Sequence, residues 1–143
     1  AQFLAKYLGS DIKKNFFNLS EIGFYPLKPT KAGEKIFKNL KIFYQFHTEG
    51  FDVPSCCKIL AYGDRFKYQA FQFGNCYALQ FHPEVNFLMH IRWLYFVLLK
   101  KPMILFRNGS QNILYQLFLR LKYNRSMSNW LDNFLDNYLL KEK

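Results

Sequence analysis

Between Asn86 and Leu131 the chain has no Asp and no Glu. Seven basic residues stand there instead: Arg92, Lys100, Lys101, Arg107, Arg120, Lys122 and Arg125. They contribute to a net charge of +10. Such an excess permits attraction to nucleic acid or to an anionic membrane. No zinc-finger spacing, glycine-aromatic RNA-binding motif or dense basic run accompanies it, so a solvated basic face is expected and a nucleic-acid partner is not. Cysteine is scarce, with only Cys56, Cys57 and Cys76. An odd count without a framework argues against a secreted disulfide fold and fits a reducing cytoplasm. Adjacent Cys56-Cys57 is not metal-ligand spacing, and no metal or cofactor is expected. The most apolar stretch, Phe87 to Leu99, is thirteen residues long and contains His90 and Arg92. A membrane-spanning helix needs ~20 apolar residues, so no span is expected. From Ala1 onward there is no basic region followed by an apolar one, so no signal peptide is expected either. Internal repeats, low-complexity segments and a linker long enough to mark a second domain are also missing.

What is present suits a core. Hydrophobic residues make up 50% and aromatics 20% of 143 residues. That argues for one folded domain over 1–143 and against disorder. Residues 1–85 read as the mixed core and 86–143 as a helical C-terminal part. Good helix formers run from Ala1 to Gly9, a plausible C-cap. Two short strands are expected between Lys13 and Tyr25, on either side of Asn18. A helical turn follows over Glu34–Leu40, with Ile36, Phe37 and Leu40 on its apolar side. Further strands are expected over Lys41–Phe46, Cys57–Tyr62, Tyr68–Phe73 and Cys76–Phe81, the last two joined by a hairpin turn at Gly74-Asn75. Asn86 is a plausible N-cap for a helix ending near Lys100-Lys101-Pro102. Two more helices are expected, Gln111–Lys122 and Ser128–Leu140.

The chemistry concentrates at Gln80-Phe81-His82-Pro83-Glu84. Pro83 cannot donate to a sheet ladder, so it stops the strand, and it biases His82 toward an extended conformation. Residues two apart in an extended chain point the same way, so His82 and Glu84 are presented together at a strand end. A carboxylate beside an imidazole fixes its tautomer and stabilises its charged form.

This segment resembles the signature that carries the His and Glu of the Cys-His-Glu triad in class I glutamine amidotransferases. Three other stretches resemble the same family, in the family's order. Ala1-Gln2 matches the end of the elbow Gly-x-Cys-x-Gly-Ala-Gln. Glu21-Ile22-Gly23-Phe24-Tyr25-Pro26 matches Glu-x-Gly-Trp-x-Pro. His47-Thr48-Glu49-Gly50-Phe51-Asp52-Val53-Pro54 matches the loop His-Gly-Asp-Thr-Phe-x-Leu-Pro, with Thr48 where Gly is usual and Gly50 where Thr is usual. Trp130 to Leu135 is similar to the closing helix of stand-alone members. The resemblance implies a flavodoxin-like α/β fold, with a mostly parallel central sheet, an antiparallel extension and C-terminal helices, and lacking the first strands and helices. It implies release of ammonia from glutamine, with His82 as base, Glu84 as its orienter, and Gln2 and His47 as substrate contacts. The nucleophilic Cys would lie three positions before Ala1, so these 143 residues alone are expected to be catalytically incomplete. Cys76 does not replace it, because six residues of extended strand place it ~20 Å from His82. A synthetase partner that uses the ammonia is left open, as is an alternative in which the basic helical tail serves a non-enzymatic binding module.

Overall fold

The computed structural model describes residues 1–14 and 19–140. The elements in chain order are α1 (Gln2–Tyr7), β1 (Ile12–Lys14), β2 (Glu21–Pro26), β3 (Lys28–Pro29), β4 (Ile42–His47), β5 (Glu49–Phe51), β6 (Lys58–Tyr62), β7 (Tyr68–Phe73), β8 (Cys76–Leu79), α2 (Phe87–Lys100), a 3-10 turn (Pro102–Phe106), α3 (Ile113–Phe134) and a π turn (Leu135–Leu139). Asn18, around which two strands were expected, lies outside the described residues, and β1 and β2 flank that gap.

The strands pair as β1–β5, β2–β4 and β3–β6–β7–β8. Every one of these ladders is antiparallel. The parallel contact among the described residues is a single bridge, Ile22 to Ser110. The expected mostly parallel sheet is therefore not what these residues build. Short connections such as Gly74-Asn75 between β7 and β8 reverse the chain, whereas parallel neighbours need a crossover of a dozen residues or more.

Residues 108–111 cover the free edge of β2. Backbone N–H groups of Ser20 and Ile22 bond to the carbonyls of Asn108 and Gly109, and Gln111 N–H bonds to Ile22. The Gln111 side chain extends the ladder: its Oε1 accepts from Phe24 N–H at 2.9 Å and its Nε2 donates to Phe24 C=O at 2.7 Å. An amide side chain thus satisfies the groups that an edge strand leaves open. Gly23 makes room for it. A Cβ there would stand 2.3 Å from Gln111 Oε1, and the backbone φ is +129°.

One aromatic core joins the β2–β4 pair to the C-terminal helix. Trp130 stacks on Phe37 (5.7 Å) and Phe134 (5.0 Å), meets Phe43 edge-on at 4.8 Å, and donates its indole N–H to Ile36 C=O at 2.8 Å. The expected turn over Glu34–Leu40 buries Ile36, Phe37 and Leu40 in this core, as turns rather than as a regular helix. The two C-terminal helices expected over Gln111–Lys122 and Ser128–Leu140 form one, α3, which passes into the π turn. No Gly or Pro interrupts that stretch, and burial of Met127 gives the intervening turn a packing role of its own.

Candidate active site

His82 is placed by a change of partner in the sheet. At Gln80 the chain still follows β7, its N–H bonding to Gln69 C=O, but at His82 the N–H bonds to Tyr44 C=O on β4, 2.8 Å away. Phe81 is anchored in the core between these two contacts. Pro83 follows, and the chain turns into α2, capped by Asn86 Oδ1 accepting from Met89 N–H. His82 and Glu84 are thereby held on opposite sides of a proline, with Nδ1 of the imidazole 2.8 Å from Glu84 Oε1. An ionised carboxylate can only accept, so Nδ1 carries the proton of this bond and Nε2 is left as the basic nitrogen. Burial works to raise the Glu84 carboxyl. The His82 hydrogen bond, a backbone N–H and the charges of His82 and Arg120 outweigh burial and hold the carboxyl below its ordinary value.

The Trp93 ring packs edge-on against His82 at 5.2 Å. Trp93 comes from α2, and its spacing from Pro83 carried no signal of that role in the sequence. Two clefts meet at His82. One, of about 340 Å³, is lined by Ala1, Gln2, His47, Glu49, Gln80 and His82 among others. The second, of about 450 Å³, is lined by Ala1, Leu4, Pro83, Glu84 and the start of the π turn. Ala1 borders both, so the start of α1 faces the His82–Glu84 pair. Among the described residues no cysteine lines either cleft.

Gln2 is in the cleft wall, where its Nε2 donates to Glu49 C=O at 3.2 Å. Gln80 Nε2 donates to the same carbonyl at 3.0 Å. His47 borders the cleft but turns its imidazole into the protein. Its side chain is 6% exposed, and Nε2 lies 3.2 Å from Glu21 Oε2 and 3.1 Å from Gln45 Oε1. Gln69 closes this buried network by donating to Glu21 at 2.7 Å, while Gln45 donates to Gln69 at 3.0 Å. Glu21 is thus the buried acceptor that fixes the ring of His47. Glu21 was visible in the sequence only as part of a motif, and the two glutamines were not singled out at all.

A second buried polar cluster lies behind the pair. Arg120 of α3 is fully buried, with its guanidinium between Phe24 (4.9 Å) and Tyr44 (5.0 Å). Its Nε reaches Nδ1 of His90 at 3.4 Å. Burial and the Arg120 charge push His90 down to about 4, so it is a neutral acceptor. Burial also raises the Tyr44 hydroxyl well above its ordinary range.

The fold has known structural counterparts. The fold matches a glutamine amidotransferase from Thermotoga maritima with a TM-score of 0.82 at 21% identity, over 98% of this chain and 59% of that one. It matches a glutamine amidotransferase from Methylobacillus flagellatus with a TM-score of 0.74 at 17% identity, over 90% of this chain and 55% of that one. The chain has the glutamine amidotransferase fold. A candidate GMP synthase subunit from Thermoplasma acidophilum is also similar, with a TM-score of 0.51 at 27% identity over 59% of this chain and 44% of that one. The chain spans less than two thirds of the length of each of these amidotransferase-fold structures. No family model matches the sequence, and no curated protein does.

Proposed function

We propose that residues 1–85 supply the acid–base half of a class I glutamine amidotransferase site, with His82 as the general base and Glu84 as its orienter. The observation that carries this is the 2.8 Å His82–Glu84 contact at the mouth of two clefts bordered by Ala1. In this reading the nucleophile is a cysteine in an elbow just before Ala1, whose last residues are Ala1-Gln2. His82 Nε2 takes the thiol proton, and the thiolate attacks the side-chain amide carbon of glutamine. Backbone N–H groups near the elbow hold the oxyanion. As the C–N bond breaks, the proton on His82 passes to the leaving ammonia, and a water activated by His82 then hydrolyses the thioester. Glu84 holds the imidazole in the required tautomer and stabilises the imidazolium. Gln2 and His47 form the wall against which glutamine lies, and Glu21 fixes His47. Metal and cofactor have no part in these steps.

The ammonia needs an acceptor, and the similarity to a GMP synthase subunit supports a synthetase as the class of partner, in the cytoplasm. The 143 residues alone are expected to be inactive, since a base without a nucleophile forms no thioester and triad members act as a unit. The test is ammonia release from glutamine by this chain and by a version extended upstream with a Gly-x-Cys-x-Gly elbow and the strands before it. Activity only in the extended protein, abolished by His82→Ala, is the expected result. Activity of the short chain that survives changing all three cysteines to Ser would overturn the mechanism. A second reading, a non-enzymatic module acting through the basic helical part, is favoured by the apolar exposure of α2 and α3.

A further inference from the structure

The helical part turns large apolar side chains outward. α2 buries His90, Leu94 and Val97 against the domain, while Tyr95 and Leu99 on its other side are 65% and 62% exposed. Met103 and Phe106 of the 3-10 turn are 74% and 81% exposed, and Leu114 and Leu121 of α3 are 76% and 69% exposed. Single exposed apolar residues are ordinary, but a concentration of them marks an interaction surface. The charges in the same stretch have one sign. Arg92, Lys100, Lys101, Lys122 and Arg125 are exposed, and no carboxylate occurs from Asn86 to Leu131.

We propose that this apolar, basic face of α2, the 3-10 turn and α3 docks on an anionic phospholipid surface. Three observations choose that occupant. Exposed Leu, Met and Phe side chains gain little from a nucleic-acid backbone but are desolvated by acyl chains at the headgroup boundary. A second copy would set these cations against each other with only Asp132, at the far end of α3, to answer them, since a two-fold interface repeats one patch. An anionic lipid surface answers every one of these charges at once. The face lies on the bilayer and does not cross it. α2 has 14 residues and gives its inner side to the domain core, and no helix among the described residues is long and apolar enough to span. Trp93 of α2 also touches His82, so docking holds the His82–Glu84 pair close to the lipid surface. The proposal requires that upstream strands leave this face open, so binding by the 143 residues that is lost in the elbow-extended protein would overturn it.

The experiment is co-sedimentation of the 143-residue chain with vesicles of phosphatidylcholine alone and with about one third phosphatidylserine. Partitioning at least ~10-fold stronger on the anionic vesicles, falling as salt is added, is expected for a handful of cations at the surface. Two variants separate the contributions. Leu99→Ser with Phe106→Ser removes exposed apolar groups, and Lys100→Glu with Lys101→Glu reverses two charges. Because all four side chains are exposed, circular dichroism should match that of the parent. Each pair should weaken anionic-vesicle binding several-fold. Equal binding to both vesicle types overturns the proposal. So does unchanged binding of the Leu99→Ser, Phe106→Ser variant, since attachment would then be purely ionic. A vesicle-free dimer by light scattering that the same variant abolishes would also overturn it, by assigning the face to a second copy.

Discussion

Replacing Arg120 by Met should leave folding stability nearly unchanged, although Arg120 is the largest fully buried side chain in the domain. No ion pair among the described residues includes it, and Nη2 has no hydrogen-bond partner there. Burial lowers its pKa from the ordinary arginine range to about 10, with the Tyr44 hydroxyl and Glu84 pulling the other way. At 1.36 kcal/mol per pH unit, that drop disfavours the buried charge by about 3 kcal/mol. Against it stand the two aromatic faces at 4.9 and 5.0 Å, each worth about 2 kcal/mol to a desolvated cation, and the long, weak Nε–His90 Nδ1 hydrogen bond at 3.4 Å. The opposing effects nearly cancel. Met has a similar length, fills the same space and needs no counter-charge, and buried ionic groups are often replaced by apolar ones of similar volume without loss. Arg120→Met is therefore expected within about 1 kcal/mol of the parent, whereas Arg120→Ala opens a cavity and should cost ~3 kcal/mol or more. Urea unfolding followed by fluorescence of Trp93 and Trp130 measures both, with equal m-values as the check that the transition is the same one. The Met variant should also raise the midpoint of Glu84 titration by NMR, because it removes a cation that favours the carboxylate. A loss of more than ~3 kcal/mol in Arg120→Met would refute the reasoning, because the guanidinium would then be making interactions far stronger than two aromatic faces supply.

Other perturbations test the site and its supports. Glu84→Gln in the elbow-extended protein should lower the rate of ammonia release by ~10³-fold or more, through loss of the tautomer that exposes Nε2. His90 is pushed down to about 4 from an ordinary value of 6.5, so between those values the unfolded chain binds a proton that the folded one does not. Stability should fall as pH drops through that window and level off below it, and His90→Gln should flatten the fall in acid unfolding curves. Trp130→Phe should cost ~2 kcal/mol from the lost bond to Ile36 and the smaller ring, and Trp130→Ala ~4 kcal/mol, both read by thermal unfolding. Gly109→Ala should destabilise by more than ~2 kcal/mol, since its φ is +94° and a Cβ would stand 1.9 Å from Ser20 C=O.

The sequence by itself determined much of the site's local geometry. A proline between His82 and Glu84 forms the turn across which the two side chains meet, although the ladder of β8 already ends at Leu79 and the His82 N–H is held by Tyr44. The helix cap at Asn86 and the hairpin at Gly74-Asn75 are local in the same sense, each set by the chemistry of a few adjacent residues. Tertiary structure decided what surrounds them. His47 lies in the cleft wall, but the partner of its ring, Glu21, is 26 positions away and meets it only through the β2–β4 register. Gln111 is recruited to the edge of β2 across 87 positions. Arg120 reads in the sequence as one more surface cation, yet folding places it between Phe24 and Tyr44. Strand direction escapes a sequence reading for the same reason: a run of strand-forming residues states that it will pair but not which edge it will meet. Long-range pairing is chosen by the burial of many side chains at once, and no short stretch of sequence contains that sum.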